Sequence, residues 1–227
     1  MAKKKKNSNY VTEKRIEAKQ EKERVKKLEK RKKLFRTVFL PIIAVVLAVA
    51  LVVGLGFAFG WWDYEPVATH HATIEIEDYG TLHLELYGND APETVKNFIK
   101  LAEAGYYDEL YFSRIIEGFI MQGGEGMGTE SIKGEFRANG VWNRVSHKRG
   151  VISMWRNSGY DSASDEFFIV HQNSPSLNGK YAAFGMVTSG MEIVDKICAE
   201  ADTYDDNGSV NLYARPRILS VTVHEVH

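Results

Sequence analysis

The side chains that most often carry chemistry are present in this sequence, but their spacing excludes several reactions. The seven histidines include no His-Glu-x-x-His. The nearest approach, His224-Glu225-Val226-His227, is one residue shorter than that motif. Gly123-Gly124-Glu125-Gly126-Met127-Gly128 is glycine-rich, yet it lacks the Lys-Ser/Thr of a phosphate loop and the spacing of a dinucleotide fingerprint. The acidic loop Thr203-Tyr204-Asp205-Asp206-Asn207-Gly208 imitates half a calcium loop. Thr203 stands where the leading Asp belongs, and Ala214 falls where the bidentate Glu is required. No serine sits in a nucleophile elbow. The single cysteine excludes an intramolecular disulfide and any thiolate-clustered zinc site. Hydrolase and metalloenzyme chemistry therefore lack support, and neither a metal nor a cofactor is expected. What stands out is the run Phe112-Ser113-Arg114-Ile115-Ile116-Glu117-Gly118-Phe119-Ile120-Met121-Gln122-Gly123-Gly124, which sets one arginine and one glutamine among aromatic and branched side chains.

That run resembles the signature F-H-R-I-I-x-G-F-M-x-Q-G-G of the cyclophilin family of peptidyl-prolyl cis-trans isomerases. Two further blocks agree in order and distance. Gly150-Val151-Ile152-Ser153-Met154 followed by Asp165-Glu166-Phe167-Phe168-Ile169 is similar to the family's G-x-L-S-M and S-Q-F-F-I. Leu177-Asn178-Gly179-Lys180-Tyr181-Ala182-Ala183-Phe184-Gly185 is similar to L-D-G-K-x-x-x-F-G. The resemblance covers essentially all of residues 72–227. It implies a mainly β fold, a closed antiparallel β-barrel capped by two α-helices, and activity on unfolded or proline-containing polypeptides.

The chemistry so implied needs few groups. Rotation about an X–Pro amide faces a barrier of roughly 18–20 kcal/mol because it destroys amide resonance, and uncatalysed exchange takes tens to hundreds of seconds. No bond breaks, so neither a nucleophile nor an acid–base pair is required. An apolar pocket must hold the pyrrolidine ring, and a fixed donor must meet the prolyl nitrogen once it turns pyramidal and basic. By the resemblance, Arg114 is that donor, Phe119 and Gln122 complete the catalytic set, and Gln122 orients backbone. Ile120, Phe168, Leu177 and Tyr181 line the substrate pocket with Phe119. Phe167 and Phe168 are adjacent on a strand and so face opposite ways, which leaves one of them for the pocket.

Several positions depart from the family pattern. Ser113 replaces the common His. Trp155 and Arg156 stand where Ala-Asn is usual and bring bulk and charge to the peptide groove. Glu166 replaces a Gln that contacts substrate backbone, and its charge is expected to draw the Arg114 guanidinium away if the two lie close. Ser176 stands where cyclosporin-sensitive members carry Trp, so weak cyclosporin binding is expected. These changes keep a second reading open: a peptide-binding module or holdase on the same fold, with weak or no turnover. A third makes the basic N-terminal tail the functional part.

The elements that must position these residues are legible in the periodicity. Ile74 and Ile76, then Leu82, Leu84 and Leu86, alternate with polar residues around Asp78-Tyr79-Gly80, which reads as a hairpin. A helix follows, with Asp90 as its cap, Pro92 in the first turn, Glu93 at capping-box spacing and Gly105 as its stop. Val95, Phe98, Ile99 and Ala102 share one face. Short apolar runs at 112–116, 119–122, 151–155, 167–170 and 183–187 read as strands. A second helix is expected over 191–199, with Val194, Ile197 and Cys198 toward the core, and a last strand over 217–223 with Leu219, Val221 and Val223 inward.

Ahead of this domain the sequence changes character. The chain has 227 residues and a formal net charge of −1, but residues 1–36 carry 16 Lys/Arg against 5 Asp/Glu, and the remainder is correspondingly acidic. Between these parts, Thr37 to Trp62 contains no charged residue. Roughly 20 apolar residues cross a bilayer as a helix, so residues 37–62 read as one transmembrane helix. Pro41 is expected near its first turn, and Trp61 and Trp62 suit the headgroup region. The basic flank (Lys30, Arg31, Lys32, Lys33, Arg36) puts residues 1–36 in the cytoplasm as a basic tail and the isomerase domain outside, in a single-pass cell-membrane protein. A cleaved signal peptide ending near Ala58-Phe59-Gly60 is the competing reading; the long charged leader favours an uncleaved anchor. Residues 63–71 read as a linker. In the tail, Lys3 to Lys6 and the stretch from Glu13 to Lys33 permit electrostatic attraction to anionic lipid, with Glu17 and Glu21 pairing at helical spacing. Tyr10 and Phe35 are isolated, so no base-stacking pattern supports a nucleic-acid partner. A monomeric domain is expected.

Overall fold

A computed structural model describes residue 19, residues 21–58 and residues 64–226. Lys3 to Lys6, Tyr10, Glu13 and Glu17 of the tail, Phe59 and Gly60 of the cleavage motif, and Trp61, Trp62 and Asp63 lie outside the described residues. The chain divides into two compact units, Met1–Asp63 and Tyr64–His227.

In the first unit, Glu21–Gly54 is one helix long and apolar enough to cross a membrane. Its apolar segment lies in α1 (Leu40–Ala58), entered through a π-helical turn at Phe35–Phe39. The helix starts well before the apolar segment, so Pro41 lies inside it rather than in its first turn. A proline there removes one amide donor and crowds the preceding turn; the wider π-turn just ahead of it, in which Leu40 N–H reaches Phe35 O, relieves that crowding.

The second unit is built on eight strands: β1 (His70–Ile76), β2 (Gly80–Leu86), β3 (Phe112–Ile116), β4 (Ile120–Gly123), β5 (Val151–Met154), β6 (Phe167–Val170), β7 (Ala182–Ser189) and β8 (Ile218–Glu225). They form one sheet in the order β3-β4-β6-β5-β7-β2-β1-β8, with every pair antiparallel. The sheet curls until its ends meet. Phe112 N–H donates to Pro216 O at 2.9 Å and Ile218 N–H to Leu110 O at 2.7 Å, next to the Tyr111–Arg217 bridge. Arg217 adds ion pairs to Glu77 and Glu109 at this seam.

Two helices, α2 (Pro92–Glu103) and α3 (Met191–Glu200), pack on the sheet. Phe98 of α2 is fully buried, with its ring 5.2–5.8 Å from those of Tyr107, Phe167 and Phe184. Leu82, Leu84, Ile74 and Ile76 point into the same core, as their alternation requires. Val194, Ile197 and Cys198 are the buried face of α3, and burial pushes the Cys198 thiol up to about 12, so it is a core residue.

Three local expectations change. Asp90 does not cap α2. It accepts the Tyr64 hydroxyl at 2.6 Å, while the buried Glu135 carboxylate takes the amides of Glu93 (3.1 Å) and Thr94 (2.8 Å). Leu219 is not an inward residue of β8. A bulge between Glu75 and Ile76 shifts the register and puts Ile218 inside instead. The stretch read as a linker is, from Tyr64 on, folded onto the domain: Thr69 hydrogen-bonds Leu86 and Gly88, and β1 opens at His70.

Candidate active site

The outward face of the curled sheet carries the residues singled out from the sequence. Strand pairing aligns Arg114 (β3), Gln122 (β4), Phe168 (β6), Ser153 (β5) and Ala183 (β7) in one row across five strands. Their chain neighbours Ile115, Met121, Phe167, Ile152 and Ala182 face the barrel core. Phe167 and Phe168 thus separate as expected: Phe167 packs on Phe98, Tyr107 and Phe112, and Phe168 belongs to a second, outer cluster.

Strict alternation from Phe112 would turn Arg114 into the core. The register slips between Phe112 and Arg114, which makes Ser113 a bulged residue. The slip lets Phe112 stay fully buried while Arg114 turns outward. Ser113, the departure from the family's His, therefore sits at the kink that aims the arginine.

The outer cluster holds the residues expected to form the pocket. Ile120, Phe168 and Leu177 are buried in it with Val145, Val151, Val170 and Ala183, and Phe119, Trp155 and Tyr181 pack against it partly exposed. The Tyr181 ring meets Phe168 edge-on at 5.5 Å. Arg156 lies outside this cluster but touches its wall. Its guanidinium is 4.9 Å from the ring of Tyr181, 4.9 Å from that of Phe136 and 5.2 Å from that of Tyr160, with Nε donating to Lys180 O at 2.9 Å. Ser176 is exposed in a short turn before Leu177.

Polar groups close one end. Arg114 Nε donates to Asn207 O at 2.8 Å, Nη2 to Asn207 Oδ1 at 3.2 Å and Nη1 to Gln122 Oε1 at 3.2 Å. A guanidinium has five N–H donors, so three fix its plane and two remain for a ligand. Gln122 Nε2 in turn donates to Glu166 Oε2 at 2.7 Å. The expected capture of Arg114 by Glu166 does not occur: the Gln122 amide stands between them, oriented by a donor at one end and a carboxylate at the other. Burial, with Glu125 and Asp165 adding repulsion, pushes Glu166 up to about 7 even though the Gln122 bond lowers it.

Two features escaped the sequence reading. The acidic loop rejected as a calcium site is the arginine clamp: Ile115 N–H donates to Gly208 O at 2.8 Å and Val210 N–H to Ser113 O at 3.0 Å, which lays Asn207 beside Arg114. A Cβ on Gly208 would stand 2.4 Å from Ile115 O, so only glycine permits this approach. The second is His147, buried beneath Phe168 with the rings nearly parallel at 6.1 Å. Asn178 Oδ1 accepts the His147 amide N–H at 2.7 Å and lies 3.1 Å from Nδ1; Nε2 lies 3.1 Å from Ser153 Oγ. An amide oxygen only accepts, so the proton is on Nδ1 and Ser153 donates to Nε2. Burial lowers His147 to about 4. Among the described residues no group of acidic, histidine or cysteine side chains could hold a metal.

The outward face of the curled antiparallel sheet thus sets an apolar cluster beside a clamped arginine. Residues 71–223 match the family described as cyclophilin type peptidyl-prolyl cis-trans isomerase/CLD. The chain belongs to that family. It is similar to peptidyl-prolyl cis-trans isomerase B of Bacillus subtilis, with 44% identity over 119 residues, covering 52% of this chain and 82% of the relative. It is also similar to a peptidyl-prolyl cis-trans isomerase of Helicobacter pylori, with 39% identity over 137 residues, 59% of this chain and 83% of the relative. Among solved structures, a Cryptosporidium parvum cyclophilin type isomerase in the presence of dipeptide Ala-Pro superposes with a TM-score of 0.59 at 28% identity. That match covers 69% of this chain and 99% of the other.

Proposed function

We propose that this peptidyl-prolyl isomerase acts outside the cytoplasm, tethered by its apolar helix, on X–Pro bonds of unfolded or proline-containing chains. The observation that carries the reading is the clamped Arg114 beside the outer apolar cluster. In this reading the proline ring enters among Phe119, Ile120, Phe168, Leu177 and Tyr181. Gln122 holds the backbone before the proline, and Trp155, Arg156 and Glu166 border the groove. As the amide twists, the nitrogen lone pair leaves conjugation and localises on the nitrogen, and a free Arg114 N–H donates to it. That bond exists only in the twisted state, so it lowers the barrier without tightening the ground state. The Asn207 and Gln122 bonds hold the donor in place beforehand, so little reorganisation accompanies the twist. The anchor suits exported chains, which emerge unfolded and whose folding waits on slow X–Pro exchange.

Exchange kinetics on an Ala-Pro peptide test this with the full chain in detergent. Wild type accelerates exchange over buffer, and Arg114→Ala loses about 100-fold in kcat/KM. Equal acceleration by both proteins sinks the assigned role of Arg114. Peptide binding without acceleration favours the binding-module reading, which the bulk and charge of Trp155 and Arg156 at the groove keep in play.

A further inference from the structure

The pocket wall Phe119 lies on the β3–β4 turn, and two hydrogen bonds to that turn come from a residue outside the pocket. His171, buried just past the end of β6, donates its backbone N–H to Phe119 O at 2.9 Å. Its ring Nδ1 accepts the Gly118 N–H at 2.8 Å. A backbone amide can only donate, so Nδ1 is unprotonated and the ring proton is on Nε2. That proton faces Asp195 Oδ1 of α3 at 3.1 Å. Asp195 is itself gripped by Arg149 through two bonds of 2.7 and 2.8 Å, and Arg149 Nη1 also donates to His171 O at 2.9 Å. The Arg149 bonds hold the Asp195 carboxyl below its ordinary range, so it is a fixed anion for the imidazole N–H.

We infer that His171, with its tautomer set by Asp195, is a positioning residue for the reaction: it holds the backbone of Gly118 and Phe119 so that the Phe119 ring walls the proline site. The inference rests on the pocket assigned under the proposed function. The chain of bonds runs from α3 through the imidazole to the turn, and no member touches the substrate. Gly118 at φ +76° and the single Phe119 N–H to Ile116 O bond leave the turn few restraints of its own.

Two substitutions separate positioning from bulk support. His171→Asn puts an amide oxygen near the Nδ1 position and keeps the acceptor for Gly118, but falls short of Asp195. His171→Gln reaches Asp195 with a donor and leaves Gly118 without an acceptor. In the full chain, His171→Gln lowers kcat/KM for an Ala-Pro peptide about tenfold, since misplacement of a positioning group by an ångström costs on the order of 10- to 100-fold. His171→Asn stays within about threefold of wild type. Thermal stability runs the other way, with the Asn variant lower because it loses the charge-assisted bond. Peptide affinity, read from the Phe119 amide shift, follows the order of activity, so the inference is tested even in a chain that binds without turnover. Activity or affinity that tracks stability, or equals wild type in both variants, overturns it. A measurement on wild type covers variants that do not fold: a nitrogen–nitrogen coupling across the hydrogen bond between the Gly118 amide and His171 Nδ1 is expected, and its absence refutes the geometry.

Discussion

Glu166 concentrates what is unusual at the residue scale. A glutamine there would be neutral at every pH; the carboxylate is half-buried and raised to about 7. An acid whose folded-state pKa exceeds its unfolded value binds more protons in the folded state, so stability is full below about pH 4 and falls as pH rises through 7. Glu166→Gln is therefore expected to leave stability unchanged near pH 4 and to raise it at pH 8. The gain is on the order of 1–2 kcal/mol once solvent screening is allowed for, or roughly 3–6 °C in Tm. Thermal melts at the two pH values check this, and equal shifts at both would remove Glu166 as the cause. His147 acts with the opposite sign. Its folded value of about 4 lies below the ordinary histidine value, so it contributes stability above pH 6.5 that is lost on acidification toward 4. The two opposed slopes partly cancel in wild type. The Glu166→Gln protein then shows the bare histidine limb, a loss of stability between pH 6.5 and 4. Arg114, Gln122 and Phe168 were nameable from the motif alone. Asn207 and His147 were not, because neither lies in the motif blocks and each acts through a contact across many residues of chain.

Elements explain why the residues meet. Period-2 alternation predicted the β1–β2 hairpin, and a 3.6-residue stripe predicted the buried faces of α2 and α3. Alternation failed at two positions where a strand gained a residue: at Ser113, where the bulge turns Arg114 out, and at Leu219, left unpaired between Ile218 and Ser220. Bulges leave no reliable trace in local pattern, since they answer to the partner strand. The start of α2 failed for a related reason. Asp90 has the right type and position for a cap, but its carboxylate is taken by Tyr64, and Glu135 reaches the open amides from 41–42 residues away. Glu135 also accepts the Thr94 hydroxyl at 2.7 Å. Its removal strands two helix amides and one hydroxyl, so Glu135→Ala is expected to cost about 2–3 kcal/mol, against under 1 kcal/mol for Asp90→Ala if Asp90 contributes only one side-chain bond. Chemical denaturation of the two variants decides between the caps; a larger loss in Asp90→Ala would restore the local one.

On the scale of the whole molecule, the net charge of −1 averages two unlike parts, a basic tail and an acidic remainder separated by an uncharged apolar run. If the proposed topology holds, those parts face different compartments, and the asymmetry of flanking Lys/Arg is what orients the span. Protease added to cells stripped of any outer barrier is then expected to digest the 64–226 domain and to spare the basic tail. A protected domain would reverse the orientation, and a domain recovered free in the medium would favour cleavage near Ala58. The sequence by itself determined the family, the strand and helix types, the apolar segment and the side chains proposed for the pocket, because each is written in local composition, periodicity or a contiguous motif. Only the tertiary structure decided which way Arg114 points, what clamps it, what stands between it and Glu166, and which carboxylate caps α2. Those outcomes depend on strand register and on partners distant in sequence, and a side chain's neighbours across a closed sheet are not encoded in its neighbours along the chain.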